Sequence, residues 1–108
     1  MSSGSAAIAN YVAMAQLIKL MVEAAGAHDW ERLVELEDDY VATAERMRLA
    51  DSVASLTEQE IVRKNALIEE ILAGDHIVRG HVEGWMNKFR ENRDMTRQKR
   101  RVDKAYGI

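Results

Sequence analysis

Hydrophobic positions recur at helical spacing in three long stretches of this chain, separated by two short polar breaks. Between residue 6 and about residue 25, Gln16, Lys19 and Glu23 lie three and four apart and make one narrow polar stripe. Ile8, Tyr11, Val12, Met14, Leu17, Ile18, Leu20, Met21 and Val22 take most of the remaining circumference. An apolar arc that broad exceeds what one neighbouring helix covers, so the first helix is expected to lie between two others or to offer a face to a partner. Gly26 is expected to end it by adopting the left-handed conformation of a helix C-cap. Ala27-His28-Asp29 then makes a turn, with Asp29 capping a second helix that runs to about residue 50. Trp30, Leu33, Tyr40, Ala44 and Met47 follow one face of that helix, while Glu31, Glu35, Asp38, Asp39 and Glu45 hold the other. So short a connection makes the first two helices an antiparallel hairpin.

After a loop over residues 51–56, Thr57-Glu58-Gln59-Glu60 reads as a capping box, in which the Thr hydroxyl and the Glu carboxylate each accept a backbone N–H. From there Ile61, Ile68, Asp75, Val82 and Phe89 keep a seven-residue step, and Ile71, Val78 and Trp85 supply the alternate seam. The phase survives Gly74 and Gly80, which predicts one helix to about residue 93. It would be roughly 55 Å long, against roughly 30 Å for each of the first two. The end near Trp85 and Phe89 is therefore expected to overhang the hairpin. Residues 92–95 are a weak point, after which Thr96 restarts a short basic helix to residue 105, with Gly107 as its stop. The expected fold is all-α: an antiparallel three-helix bundle with a long third helix and a short basic C-terminal helix. It forms one domain over residues 6–108, preceded by a flexible start over residues 1–5.

Composition agrees with this pattern. The 108 residues include no proline and no cysteine, which favours helix and leaves no disulfide or thiolate metal site. The absence of thiols suits a reducing compartment, and a cytoplasmic location is expected. The first apolar stretch is broken by Asn10, Gln16 and Lys19, and no membrane insertion is expected from it. Charge is uneven. Eight of the fifteen basic residues fall between Lys88 and Lys104, against only Glu91, Asp94 and Asp103, so a segment of +5 follows residues 1–87 at −8. Such a run suits a solvated terminal helix, an anionic lipid or acidic protein surface, or a fold-back onto the acidic face of the second helix. Direct nucleic-acid binding fits poorly, because the rest of the chain is acidic and Tyr106 is the only aromatic of residues 96–108. Neither metal binding nor catalysis is expected. His76 and His81 are five apart, about 140° round a helix, and the pairs Asp38-Asp39 and Glu69-Glu70 lie on solvated faces where both groups stay ionised.

The order of elements, with Trp30 opening the second helix, Glu37 and Tyr40 within it, Thr96-Arg97-Gln98-Lys99 and Ala105-Tyr106-Gly107, resembles the flagellar protein FliT family of type III export chaperones. The chain departs from the family pattern in stopping at Ile108 and in the basic density of Arg100, Arg101 and Lys104. The resemblance implies binding of the C-terminal region of the filament-cap protein FliD. It also implies contacts with the export ATPase and its stalk protein and, in some bacteria, restraint of the flagellar master transcription regulator. No cofactor is implied. A client helix would lie between the second and third helices, with Tyr40, Ile68, Leu72, Val82, Trp85 and Phe89 as candidates for the groove and Arg97, Lys99 and Tyr106 for the tail. Trp85, Met86 and Phe89 are either core or an exposed surface on the overhang. Met14, Met21, Met47 and Met86 suit an adaptable groove or a core equally. The protein is expected to be a monomer or weak homodimer, and the rival reading is a coiled-coil dimer formed through the first helix.

Overall fold

The computed structural model describes the backbone of residues 3–89 and 96–107 and the side chains of residues 4–88 and 99–107. Among them the chain is all-helical, with α1 at Ser3–Gly26, α2 at Trp30–Asp51, α3 at Glu58–Phe89 and α4 at Thr96–Tyr106. The molecule measures 52 × 20 × 18 Å, its length set by α3.

Local chemistry explains most of the boundaries. The Asp29 carboxylate accepts the Arg32 amide at the start of α2. Thr57 and Glu60 complete their capping box reciprocally: the Thr57 amide donates to the Glu60 carboxylate at 2.9 Å, and the Glu60 amide donates to the Thr57 hydroxyl at 3.1 Å. Gly107 takes φ 67° and ends α4. Two expectations change. α1 begins at Ser3, so residues 3–5 belong to the helix and Gly4 is buried, close to the Glu60 carboxylate. At its other end α1 runs through Gly26, and His28 takes the left-handed conformation, with φ 59°. The His28 amide donates to the Ala25 carbonyl and the Asp29 amide to the Ala24 carbonyl, which is a Schellman closure. Stacking of the His28 ring on Trp30, with centroids 5.5 Å apart, helps hold a non-glycine residue there.

α1 is the central helix and packs along both α2 and α3. The Tyr11 hydroxyl donates to Asp51 at 2.5 Å, joining the start of α1 to the end of α2 and marking them as antiparallel. α3 runs parallel to α1, because Gly4 lies by Glu60, Gly74 by Ile18 and Gly26 by His81. At Gly74 a Cβ would fall 2.6 Å from Ile18, so this glycine permits the close approach of α3 to α1. α1 is long and apolar enough to cross a membrane by length and composition. Here its apolar arc is divided between two neighbours, as expected from its width.

The departure from a closed three-helix bundle lies between α2 and α3. Among the described residues no Cα of α2 comes within 8 Å of one in α3, a wider separation than direct helix packing produces. The space between them is a groove floored by α1, and α4 packs on both α2 and α3 across it.

Candidate partner-binding groove

One half of the groove lies beneath α4. Its floor holds Ile18, Met21 and Ala25 from α1, Trp30, Leu33 and Leu36 from α2, and Val78, Val82, Trp85 and Met86 from α3. Val102 enters this cluster from α4 and is 0% exposed. Trp30 and Trp85 meet across the gap with ring centroids 4.6 Å apart, an aromatic contact between helices whose backbones do not touch. The amphipathic pattern of α4 explains the docking. Val102 and Tyr106, one helical turn apart, are its inward residues, whereas Arg100, Arg101 and Lys104 are exposed. Arg101 forms a 3.2 Å ion pair with Glu31 on α2, and Lys99 pairs with Asp103 along α4 at 2.9 Å. The basic tail thus folds back on α2.

The length mismatch is present, since α3 continues past the level of Gly26 and His81. Among the described residues that overhang carries no exposed Trp, Tyr or Phe side chain. Trp85 is only 8% exposed, with Met86 equally buried, because Trp30 and Val102 cover them. Val82 is likewise core.

The other half of the groove has no helix over it among the described residues. Tyr11, Met14, Ala15 and Ile71 form its buried floor, with Tyr40, Ala44, Met47, Leu67 and Ile68 packed against them and partly open. Ile61 and Leu72 flank Ile68 on the same face of α3, seven and four residues away, and Leu72 is 63% exposed. Val41 of α2, 59% exposed, lies instead beside Lys104 and Ala105 of α4. Polar groups close the far end: Asp51 takes the Tyr11 hydroxyl and lies 3.9 Å from Lys64, whose ammonium sits over the Tyr11 ring. Burial, then the bond and charge of Asp51, push the Tyr11 phenol up to about 12.

Between the halves stands a polar cluster from three helices. Tyr106 of α4 and Tyr40 of α2 both pack against the main core, with the Arg79 guanidinium 5.8 Å from the Tyr106 ring centroid. Arg79 also binds Asp75 at 2.9 Å. Glu37 sits half-buried beside them. Its carboxyl is pushed up to about 7, first by burial and then by the negative charges of Asp75 and Asp38, while Arg79 pulls it down. The Tyr106 phenol is raised well above its usual range, chiefly by burial and then by Glu37. Its hydroxyl is buried with no hydrogen-bond partner.

The sequence candidates therefore separate. Tyr40, Ile68 and Leu72 line the open half, with Tyr106 at its boundary. Val82 and Trp85 lie in the covered half, and Lys99 is engaged within α4. The side chains of Phe89 and Arg97 lie outside the described residues, as do residues 90–93 of the expected third helix. Val102, Asp75 and Arg79 were missed as groove residues. The lone apolar Val102 inside a basic run, with Tyr106 four residues on, is the signal that could have marked the docking face of α4.

The family model described as flagellar protein FliT matches residues 8–108 of the chain. No curated protein and no solved structure matches it.

Proposed function

The chain belongs to the flagellar protein FliT family, a family of flagellar export chaperones, and from that premise we propose that its α2–α3 groove receives an amphipathic helix from the C-terminal region of the filament-cap protein FliD. The chaperone would keep that segment soluble in the cytoplasm until export, by covering apolar surface and without chemistry of its own. The observation that carries this reading is the open half of the groove, where Leu72 exposes apolar surface and Tyr40, Met47 and Ile68 lie partly open over a floor of Tyr11, Met14 and Ile71. A client helix lays three or four apolar side chains along such a groove at helical spacing. It engages Tyr40, Ile68 and Leu72 first. Reaching Val82 and Trp85 requires α4 to move aside, so α4 acts as an internal mask over part of the site.

The test is calorimetric titration of a FliD C-terminal peptide into the wild-type chain and into the double variant Ile68→Ser, Leu72→Ser. The double variant is expected to bind at least about tenfold more weakly, as loss of a central apolar anchor does, with unchanged far-UV circular dichroism. Equal affinity would remove the groove assignment.

The exposed basic face of α4, with Arg100 and Lys104, is where we place contacts with the export ATPase, its stalk protein or the flagellar master regulator. Restraint of the regulator would appear as loss of its DNA complex when this protein is added. The rival, a coiled-coil dimer through α1, draws less support, because Ile18, Met21 and Ala25 are already buried within one chain. Sedimentation equilibrium at micromolar concentration separates the two. A tight dimer favours the rival, and a monomer or weak dimer that binds the peptide favours the chaperone.

A further inference from the structure

α4 is a helix already seated in the α2–α3 groove, and it lies there in one direction. Arg101 pairs with Glu31 near the start of α2. Lys104 and Ala105 line a surface cavity with Asp38 and Val41, further along that helix. α4 therefore runs parallel to α2 and antiparallel to α1 and α3. It ends at Tyr106, where the covered half gives way to the open one, and the Gly107 amide closes it onto the Asp103 carbonyl at 2.8 Å. Its axis points into the open half, so the negative end of its dipole, made by its last carbonyls, faces that half. The carboxyl groups of Glu37 and Asp75 stand at the same level and share one guanidinium, Arg79, which is bonded to Asp75 at 2.9 Å. Of the cations on α4, Arg101 is engaged by Glu31 and Lys104 is exposed.

The far end of the open half has the opposite character. There the Lys64 ammonium sits over the Tyr11 ring, 5.3 Å from its centroid. Asp51, at 3.9 Å, is beyond hydrogen-bond distance of that ammonium and takes the Tyr11 hydroxyl instead. Two helices, α1 and α3, start at this end, because Gly4 lies by Glu60, and only α2 finishes there. The Glu60 carboxylate at these starts is committed to the Thr57 amide.

We propose that the open half takes its client helix in one polarity: parallel to α2, with the client N-terminus against the end of α4 and the client C-terminus at Lys64. This polarity rests on the chaperone reading of the groove and adds the direction to it.

Three features agree on the sign. α4 is a precedent for a helix in this direction between the same two walls. A client in line with it brings its free N–H groups to the last carbonyls of α4 and to Glu37 and Asp75, while its own last carbonyls reach the N–H donors of Lys64. It also runs antiparallel to both the floor, α1, and one wall, α3. A reversed client would set carbonyls against carbonyls at one end and N–H groups against an ammonium at the other. Each such contact changes affinity only about two- to fivefold, but all of them reverse together. The same geometry selects the client's charges. Asp and Glu, which ordinarily favour the first turn of a helix, would meet Glu37 and Asp75 there, so the client's first turn is free of them.

The measurement uses a FliD C-terminal peptide carrying a nitroxide spin label at one end or the other, and reads the broadening of backbone amide signals in the intact chain. The open wall of α2 from Tyr40 to Asp51 is roughly 16 Å long, and broadening falls steeply with distance, so the two ends are distinguished. The N-terminal label is expected to erase the signals of Tyr40, Asp75 and Gly107, and the C-terminal label those of Asp51 and Lys64. The reverse pattern, or both ends broadened alike by each label, overturns the polarity and leaves the chaperone reading standing. If neither label broadens any groove amide, the chaperone reading fails and the polarity falls with it. Lys64→Met, which keeps the length of the side chain and removes its charge, is expected to weaken peptide binding about two- to fivefold. Unchanged or tighter binding overturns the placement of the client C-terminus at Lys64.

Discussion

The covered and open halves of the groove are built from the same three helices and differ in what lies across them. Under α4, apolar side chains reach core levels of burial: Leu33, Val78 and Val102 are fully enclosed, and two tryptophans from α2 and α3 meet over α1. Beyond Tyr106 the same walls carry Ile68, Leu72 and Met47, which are partly or largely exposed. The difference teaches that the separation of α2 from α3 is satisfied at one end by the chain itself and left unsatisfied at the other. Stability and recognition are thereby assigned to different halves. Apolar residues in the covered half and on the buried floor of the open half hold the fold, and exposed ones on the open walls, such as Leu72, can change without threatening it.

The largest expected effect tests that division. Trp85→Ala removes the aromatic contact with Trp30 and leaves a cavity in the main core, and a loss of about 3–5 kcal/mol is expected by urea unfolding. Leu72→Ala, in the open half, should stay within about 0.5 kcal/mol of wild type. Comparable losses for the two would abolish the distinction between the halves. The result also bears on the reading of Trp85 as an exposed anchor, from which little loss of fold would follow.

A smaller effect is expected at the lid. Val102→Asp places a charge in the slot formed by the covered core, and the roughly 1.5–3 kcal/mol that burial of a valine contributes is lost to docking. α4 should lose exchange protection and the covered half should bind an apolar dye, while α1 to α3 keep their unfolding midpoint. If the whole chain unfolds with α4, the lid is an integral part of the core.

How much of this was legible depends on whether a signal was local. The Asp29 cap, the Thr57–Glu60 box and the Gly107 stop are satisfied within a few residues, and each lies where its sequence pattern indicates. The continuity of α3 was legible for the same reason, since a phase that survives two glycines needs no tertiary information. The end of α1 was not. Glycine is the commoner left-handed residue, but His28 takes that role, and its stacking partner Trp30 is visible only once the turn is built. The helix lengths implied an overhang, and it exists. What covers it is decided by the docking of α4, a tertiary event that periodicity in α3 does not encode. Gly74 reads as a weak spot in a helix and proves to be a close-approach site against Ile18. Among the site residues, Tyr40, Ile68 and Leu72 sit in the open half. Val82 and Trp85 were assigned to the same groove because the apolar positions of α3 serve both halves at one spacing.

The smallest expected effect concerns the force that holds α4. The basic run and the acidic face of α2 suggest electrostatic docking, and the Arg101–Glu31 pair is the visible instance. Both side chains are about half or more exposed, at 46% and 66%, and such pairs contribute about 0–1 kcal/mol before salt screens them further. Burial of Val102 outweighs that. Arg101→Ala should therefore leave α4 protection nearly unchanged, and raising the salt to about 0.5 M, where screening acts over only a few ångströms, should do no more. A drop as large as that of Val102→Asp would make the tail an electrostatic clasp. The expected indifference would leave the exposed arginines of α4 free of a structural duty while the helix stays docked, which makes them available to an acidic partner without opening the groove beneath.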